Sequence, residues 1–187
     1  MSKVMIHATV SVDGFMADPD GGMDWMNGFP VAAEDEHIVR KICSDIGAIV
    51  GGANKTQTIE EREIPYGGFL KVPVYLMTHS GQEAVERDGT RFTFVVDDID
   101  EAVRRARQDA GEKWVSVLGG RVARQCLALG LIDEIRLHVV PAVLGEGIPL
   151  FAGLERQLRL ERLETAAFAS EVHLCYRVQR AAPASGE

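Results

Sequence analysis

Between Arg91 and Val140 the chain alternates short β-rich segments with amphipathic ones, and this alternation restricts the fold more than any other feature. Arg91 to Val96 reads as a buried strand. Asp98 then stands where an N-cap belongs, Asp100 and Glu101 follow in the first turn, and Ile99, Val103, Ala106 and Ala110 form one apolar stripe that Gly111 terminates. Trp114 to Leu118 is strand again, Val122, Cys126 and Leu129 stripe a second helix ended by Gly130, and Glu134 to Val140 resumes strand. Strand, helix, strand, helix, strand places parallel strands in one sheet with helices on its faces, the α/β class.

The flanking segments extend this plan. Lys3 to Val12 reads as a strand (Val4, Ile6, Ala8, Val10) ending at the turn pair Asp13-Gly14. Ala17 to Pro30 is a loop dense in Gly, Asp and Pro that still carries Met23, Trp25, Met26 and Phe29, so it can move and yet cover something apolar. Glu34 to Asp45 fits a helix, Ala48 to Val50 a short strand broken at Gly51-Gly52, and Val72 to Thr78 a strand opened by Pro73. After the Gly-rich loop Pro141 to Phe151, Gln157 to Thr165 and Glu171 to Val178 read as an antiparallel edge pair, and Ala181 to Glu187 as a disordered tail.

A chain of 187 residues with 46% apolar residues suits a single domain over residues 1–180. No apolar run nears the roughly 20 residues of a spanning helix, so no membrane partner is expected and the location expected is cytoplasmic. A net charge of -8 without clustered Lys and Arg argues against a nucleic-acid surface. Cys43, Cys126 and Cys175 are expected to be free, buried thiols of a reducing compartment. With no C-x-x-C or H-x-x-x-H pair, no metal site is expected, and His7, His138 and His173 read as core or face-lining histidines.

The strongest local chemistry lies at Leu118-Gly119-Gly120-Arg121-Val122-Ala123. A buried strand opening through two glycines into a helix aims unpaired backbone N–H groups at an anion, and the same residues would serve equally as a tight turn without a ligand. A second break of this kind, Gly51-Gly52, precedes Lys55 and Thr56, and Thr78-His79-Ser80 offers further donors. In open α/β sheets ligands bind outside the carboxyl ends of the strands, where all three would lie.

Val10 to Ala17 with Met23-Asp24-Trp25, the Gly119-Gly120 helix start, and Gly130 to Glu134 through Pro141 to Phe151 together resemble the dihydrofolate-reductase-fold family that includes the reductase domain of bacterial riboflavin biosynthesis. The resemblance runs from Val4 to about Val178. It implies a three-layer fold with an eight-stranded, mostly parallel sheet, an NADPH cofactor lying across the strand ends, and often a homodimer. Carried over, Ala8, Phe15 and Met16 line the nicotinamide, Gly52, Lys55, Thr56, Thr78, His79 and Ser80 face the adenosine phosphate end, and Leu118 to Ala123 hold the pyrophosphate. Gly145, Glu146 and Gly147 match a loop that closes near the cofactor. Relatives carry Gly-Arg-Arg/Lys-Thr where this chain has Gly52-Ala53-Asn54-Lys55-Thr56, which leaves NADH open beside NADPH.

The cofactor supplies the hydride, so the chain needs only a proton source and a wall for the substrate. Asp13 and Asp24 are the candidate acids, and Trp25, Phe29, Pro141 and Leu150 the candidate substrate contacts. Folate-reducing members place a carboxylate on the first helix. Glu34 and Asp35 are the local candidates, and both are expected to face solvent, which disfavours dihydrofolate itself. A ribosylamino-pyrimidine phosphate would need basic residues such as Arg62, Lys71 or Arg121. The expectation is an NADPH-dependent reductase of a small heterocycle, resembling 5-amino-6-(5-phosphoribosylamino)uracil reductase. The zinc deaminase signature fused to that enzyme is missing here, so a stand-alone reductase domain is expected. A non-catalytic dinucleotide-binding protein and a pterin reductase stay as alternatives.

Overall fold

The computed structural model describes residues 2–53 and 64–179. Lys55, Thr56, Arg62 and the segment 181–187 lie outside them. Along the chain come β1 (Val4–Ser11), β2 (Phe15–Ala17), α1 (Ala33–Ser44), β3 (Ile46–Gly52), β4 (Val74–Thr78), β5 (Val85–Arg87) and β6 (Thr90–Val96). Then follow α2 (Ile99–Ala110), β7 (Trp114–Val117), α3 (Gly120–Ala128), β8 (Glu134–Val140), β9 (Ile148–Pro149), β10 (Leu160–Phe168) and β11 (Glu171–Val178). The main sheet has the order β10-β11-β8-β1-β7-β3-β4-β6-β5. Its six inner strands, β8 to β6, pair in parallel, while β11 and β10 at one margin and β5 at the other are antiparallel.

The α/β class and the parallel core agree with the sequence expectation; the strand count does not. The sheet has nine strands instead of eight because β5 folds back on β6 through Asp88 (φ 50°) and Gly89 (φ 74°). Two successive left-handed residues make the two-residue hairpin turn that an Asp-Gly pair favours. The second edge strand also begins at Leu160 and runs to Phe168, later than its polarity pattern suggested.

Successive residues along a strand point to opposite faces of the sheet. Val4, Ile6 and Val10 of β1 join Val115, Val117 and the inward residues of α2 and α3 in one core cluster. Met5 points the other way, to Ile42 of α1, Ile49 and Phe92. The six-residue buried run of β3 is what a strand covered on both faces requires. Asp98 caps α2 as expected, its carboxylate accepting from the Glu101 N–H at 2.9 Å. Cys43 and Cys126 are buried free thiols, their pKa values pushed up to about 11 and about 12 by burial; Cys175 is only half-buried. No helix among the described residues is long and apolar enough to cross a membrane.

Candidate functional site

Because β8, β1, β7, β3, β4 and β6 run in parallel, their carboxyl ends share one edge, and β7 enters it between β1 and β3. Gly119 there takes φ 87°, and α3 begins at the next residue. The Ala123 N–H is already held by the Gly119 carbonyl at 2.9 Å. By helix geometry the N–H groups before it point out along the axis, toward the strand edge. A Cβ on Gly120 would lie 2.7 Å from the Pro149 carbonyl oxygen, so this glycine lets the 149–150 backbone pass directly over the helix start. Gly52 ends β3 beside this turn, 3.5 Å from Val122 Cγ2 where a Cβ would stand. The two glycine breaks are therefore brought together at one edge, and Arg121 is exposed on the helix surface.

Two loops lie across that edge and are joined to each other. Phe15 and Ala17 pair antiparallel with Pro149 and Ile148. Gly147, at φ 148°, approaches so closely that an added Cβ would lie 2.3 Å from the Ala17 carbonyl oxygen. Asp13 locks the pair: Oδ1 accepts from the Ser11 hydroxyl (2.6 Å) and Leu144 N–H (3.2 Å), and Oδ2 from the Gly145 N–H (2.8 Å). The Ser11 hydrogen bond, then the Gly145 N–H, hold its carboxyl below the usual range. A carboxylate kept ionised by three donors is a loop latch and a poor proton source at neutral pH.

Ala8, Phe15 and Met16 are half-buried at this end of the molecule. Thr78 closes β4, but His79 and Ser80 are exposed, and the His79 Nδ1 lies 2.5 Å from Asp97 Oδ1, a carboxylate that would repel a phosphate. Asp24 is exposed, and among the described hydrogen bonds its carboxylate accepts from Asn27 Nδ2 alone, at 3.2 Å. Trp25 and Phe29 are half-buried, and the Trp25 indole N–H is enclosed without a partner among the described residues. Pro141 and Glu146 are exposed. Leu150 is 1% exposed and packs into the core cluster with α3, so it is a core residue and not a substrate contact.

Asp35 overturns one expectation. It lies in the first turn of α1, between exposed Glu34 and Glu36, yet is 1% exposed, because its position on the helix faces the sheet. Its Oδ2 accepts from the Ala32 N–H at 2.7 Å, and its Oδ1 lies 2.7 Å from His173 Nε2. From there a continuous chain crosses the sheet. His173 Nδ1 meets His138 Nδ1 at 2.5 Å, His138 Nε2 meets His7 Nε2 at 2.6 Å, His7 Nδ1 meets the Tyr66 hydroxyl at 2.9 Å, and Tyr66 meets the Ser116 hydroxyl at 2.9 Å.

Burial holds His7 and His138 below the usual histidine range, in each case reinforced by the next imidazole of the chain. Burial also pushes Tyr66 up, so its hydroxyl stays protonated. Where each ring carries one proton and Asp35 accepts from His173, a single order satisfies every contact. Ser116 donates to Tyr66, Tyr66 to His7 Nδ1, His7 Nε2–H to His138 Nε2, His138 Nδ1–H to His173 Nδ1, and His173 Nε2–H to Asp35. The reading of the three histidines as face-lining holds, but they act as one polarised unit. The sequence carried a signal of it, a lone histidine in each of three apolar strands. The partners Tyr66 and Ser116 had none.

A parallel sheet edge closed by a Gly-Gly helix start and two joined loops, with a carboxylate-bearing first helix beneath, defines a protein of dihydrofolate-reductase-like fold. The sequence model of the RibD C-terminal domain matches residues 71–174, more than half of the chain, and the chain belongs to that family. It is 25% identical over 175 residues to the uncharacterized protein YwjB of Bacillus subtilis, covering 93% of this chain and 97% of YwjB. A protein assigned to riboflavin biosynthesis from Shewanella sp. PV-4 superposes with a TM-score of 0.76 at 22% identity, over 96% of this chain and 100% of that one. The Thermotoga maritima diaminohydroxyphosphoribosylaminopyrimidine deaminase/5-amino-6-(5-phosphoribosylamino)uracil reductase gives 0.66 at 16% identity, over 95% of this chain and 57% of its own. Enterococcus faecalis dihydrofolate reductase, complexed with NADP(H), gives 0.60 at 13%, over 95% and 97%.

Proposed function

We propose that this chain is a nicotinamide-dinucleotide-dependent reductase of a small heterocycle, with NADPH as the cofactor and a ribosylamino-pyrimidine of the riboflavin-pathway type as the substrate. The observation that carries this reading is the Gly119-Gly120 turn at the carboxyl end of β7, a helix start whose first N–H groups face the strand edge, with the joined 12–18 and 141–150 loops across it. Ala8, Phe15 and Met16 then flank the nicotinamide, and Trp25 and Phe29 cover the substrate ring. The state of Asp35 favours a pyrimidine over dihydrofolate. Its two oxygens are engaged by Ala32 N–H and His173, which leaves no free carboxylate edge for a pterin. The family membership and the NADP(H) complex of a protein with the same fold support the cofactor assignment.

The test is a titration of the protein with NADPH and with NADH, followed by Trp fluorescence and thermal protection, then hydride loss across a panel of aminopyrimidines, pterins and carbonyl compounds. Binding of NADPH with turnover of an aminopyrimidine is the expected result. Neither binding nor thermal protection by either dinucleotide would overturn the reading, and tight binding without hydride loss over the whole panel would assign the chain to non-catalytic dinucleotide binding instead.

A further inference from the structure

On the α1 side of the sheet, His138 of β8 and Glu171 and His173 of β11 bring one ligand atom each to within 4.8 Å of one another. Glu171 and His173 are two residues apart on one strand and share a face, and His173 stands directly opposite His138 in the β8–β11 register. We infer that His138 Nδ1, His173 Nδ1 and the Glu171 carboxylate form a binding site for one divalent metal ion of the zinc class, a site that does not depend on the reductase reading.

The donor set fits such an ion. Two imidazole nitrogens and one carboxylate oxygen make a three-ligand set that leaves a fourth position open, and imidazole selects zinc-like cations over magnesium or calcium. The outer partners fit as well. A metal-bound histidine almost always donates its other ring N–H to a carboxylate or another acceptor. Here His173 Nε2 lies 2.7 Å from Asp35, and His138 Nε2 lies 2.6 Å from His7. Both rings therefore have their second nitrogen held before any ion arrives. The adjustment needed is small, since metal–nitrogen bonds of about 2.0–2.1 Å set tetrahedral ligand atoms about 3.3 Å apart. The 2.5 Å between the two Nδ1 atoms would open by less than about 1 Å, and Glu171 would close in from its half-buried position. Both imidazoles also line a cavity of about 200 Å³ beside α1, together with Lys41 and Arg136.

The proton count is the strongest argument. A metal ion needs a lone pair on both Nδ1 atoms, whereas the chain without metal places the His138 proton between them. Moving that proton to Nε2 of His138 makes His7 Nε2 the acceptor. His7 then donates through Nδ1 to Tyr66, and Tyr66 turns to donate to Ser116. No proton leaves the protein, and His173 keeps its N–H on Asp35. The ion takes the place of one proton in a chain built to run in either direction, with the charges of Glu171 and Asp35 opposing its own.

The test uses metal-stripped full-length protein with neither cofactor nor substrate, titrated with Zn²⁺ against a chromophoric chelator and with Co²⁺ by visible spectroscopy. Expected are one ion per chain, tetrahedral Co²⁺ bands, and movement of the His138 proton from Nδ1 to Nε2 by nitrogen-15 NMR. Glu171→Gln, at a half-buried position that leaves the fold intact, should weaken Zn²⁺ at least tenfold, and Asp35→Asn tenfold to a hundredfold. His37→Gln, an exposed histidine of α1, should change nothing. Absence of one-to-one binding in the wild type, or one-to-one binding that Glu171→Gln and His173→Asn leave unchanged, would overturn the site. Because no dinucleotide is present, either outcome leaves the reductase reading to its own test.

Discussion

Asp35→Asn should reverse the polarity of the histidine chain at little cost, while Asp35→Leu should be severe. The Ala32 amide can only donate, so the asparagine oxygen must face it and the side-chain NH₂ must face His173 Nε2. His173 is then forced to the Nδ1–H tautomer, His138 to Nε2–H and His7 to Nδ1–H, with Tyr66 donating to Ser116. Every contact of the chain survives, as a neutral bond in place of a charge-assisted one at the Asp35 end. That weakening is partly offset by removing a charge from a 1% exposed site, giving a net loss of about 1 kcal/mol. Leucine instead strands the His173 Nε2–H and the Ala32 N–H, about 1–3 kcal/mol for the buried donor and about 1 for the lost cap, about 2–4 together. Urea unfolding of the metal-stripped variants measures the two losses, and long-range nitrogen-15 correlations identify each tautomer. Equal destabilisation by the two substitutions, or wild-type tautomers in Asp35→Asn, would refute the assigned proton order.

Acid should weaken the metal-free fold through the same histidines. Since burial lowers His7 and His138 in the folded state, their contribution is fully present above the ordinary value of about 6.5 and is lost as pH falls below it, so unfolding free energy should decline from pH 7 to pH 5. The Asp13 latch has the carboxylate sign. Its lowered value means the loop is held at and above about pH 4 and released below it, which amide NMR of Leu144 and Gly145 should show as a joint titration that Asp13→Asn removes. Gly120→Ala should cost stability and loosen NADPH together, because the new methyl would lie 2.7 Å from the Pro149 carbonyl and push the 149–150 segment off the helix start; calorimetry and dinucleotide titration measure both. We also propose self-association through the β10 margin, where Leu160, Leu163 and Phe168 are exposed; sedimentation should then give a dimer for the wild type and a monomer for Leu163→Glu.

Some residues announced their place. Ile99, Val103, Ala106 and Ala110 describe a helix by spacing alone, and Asp98 caps it because its short carboxylate can reach the Glu101 N–H wherever that helix sits. The Asp88-Gly89 pair is an equally local signal for the β5–β6 hairpin, but the flanking strand β5, only three residues long, is too short to mark a strand by alternation. Asp35 was misread for a different reason. Glu34, Asp35 and Glu36 look alike in composition, as a solvated acidic first turn, and at about 100° of rotation per residue only the docking angle of α1 decides which of the three turns inward.

The sequence by itself therefore determined the alternating elements, the parallel core, and the glycine helix start at the strand edge, since each depends on residues that are neighbours along the chain. The tertiary structure decided the rest of the site. His7, His138 and His173 lie in three strands and Asp35 in a helix, and only the β1–β8 and β8–β11 registers bring them into line. Register is a property of pairs of strands, so a buried polar unit built across it has no trace in the spacing along any one of them.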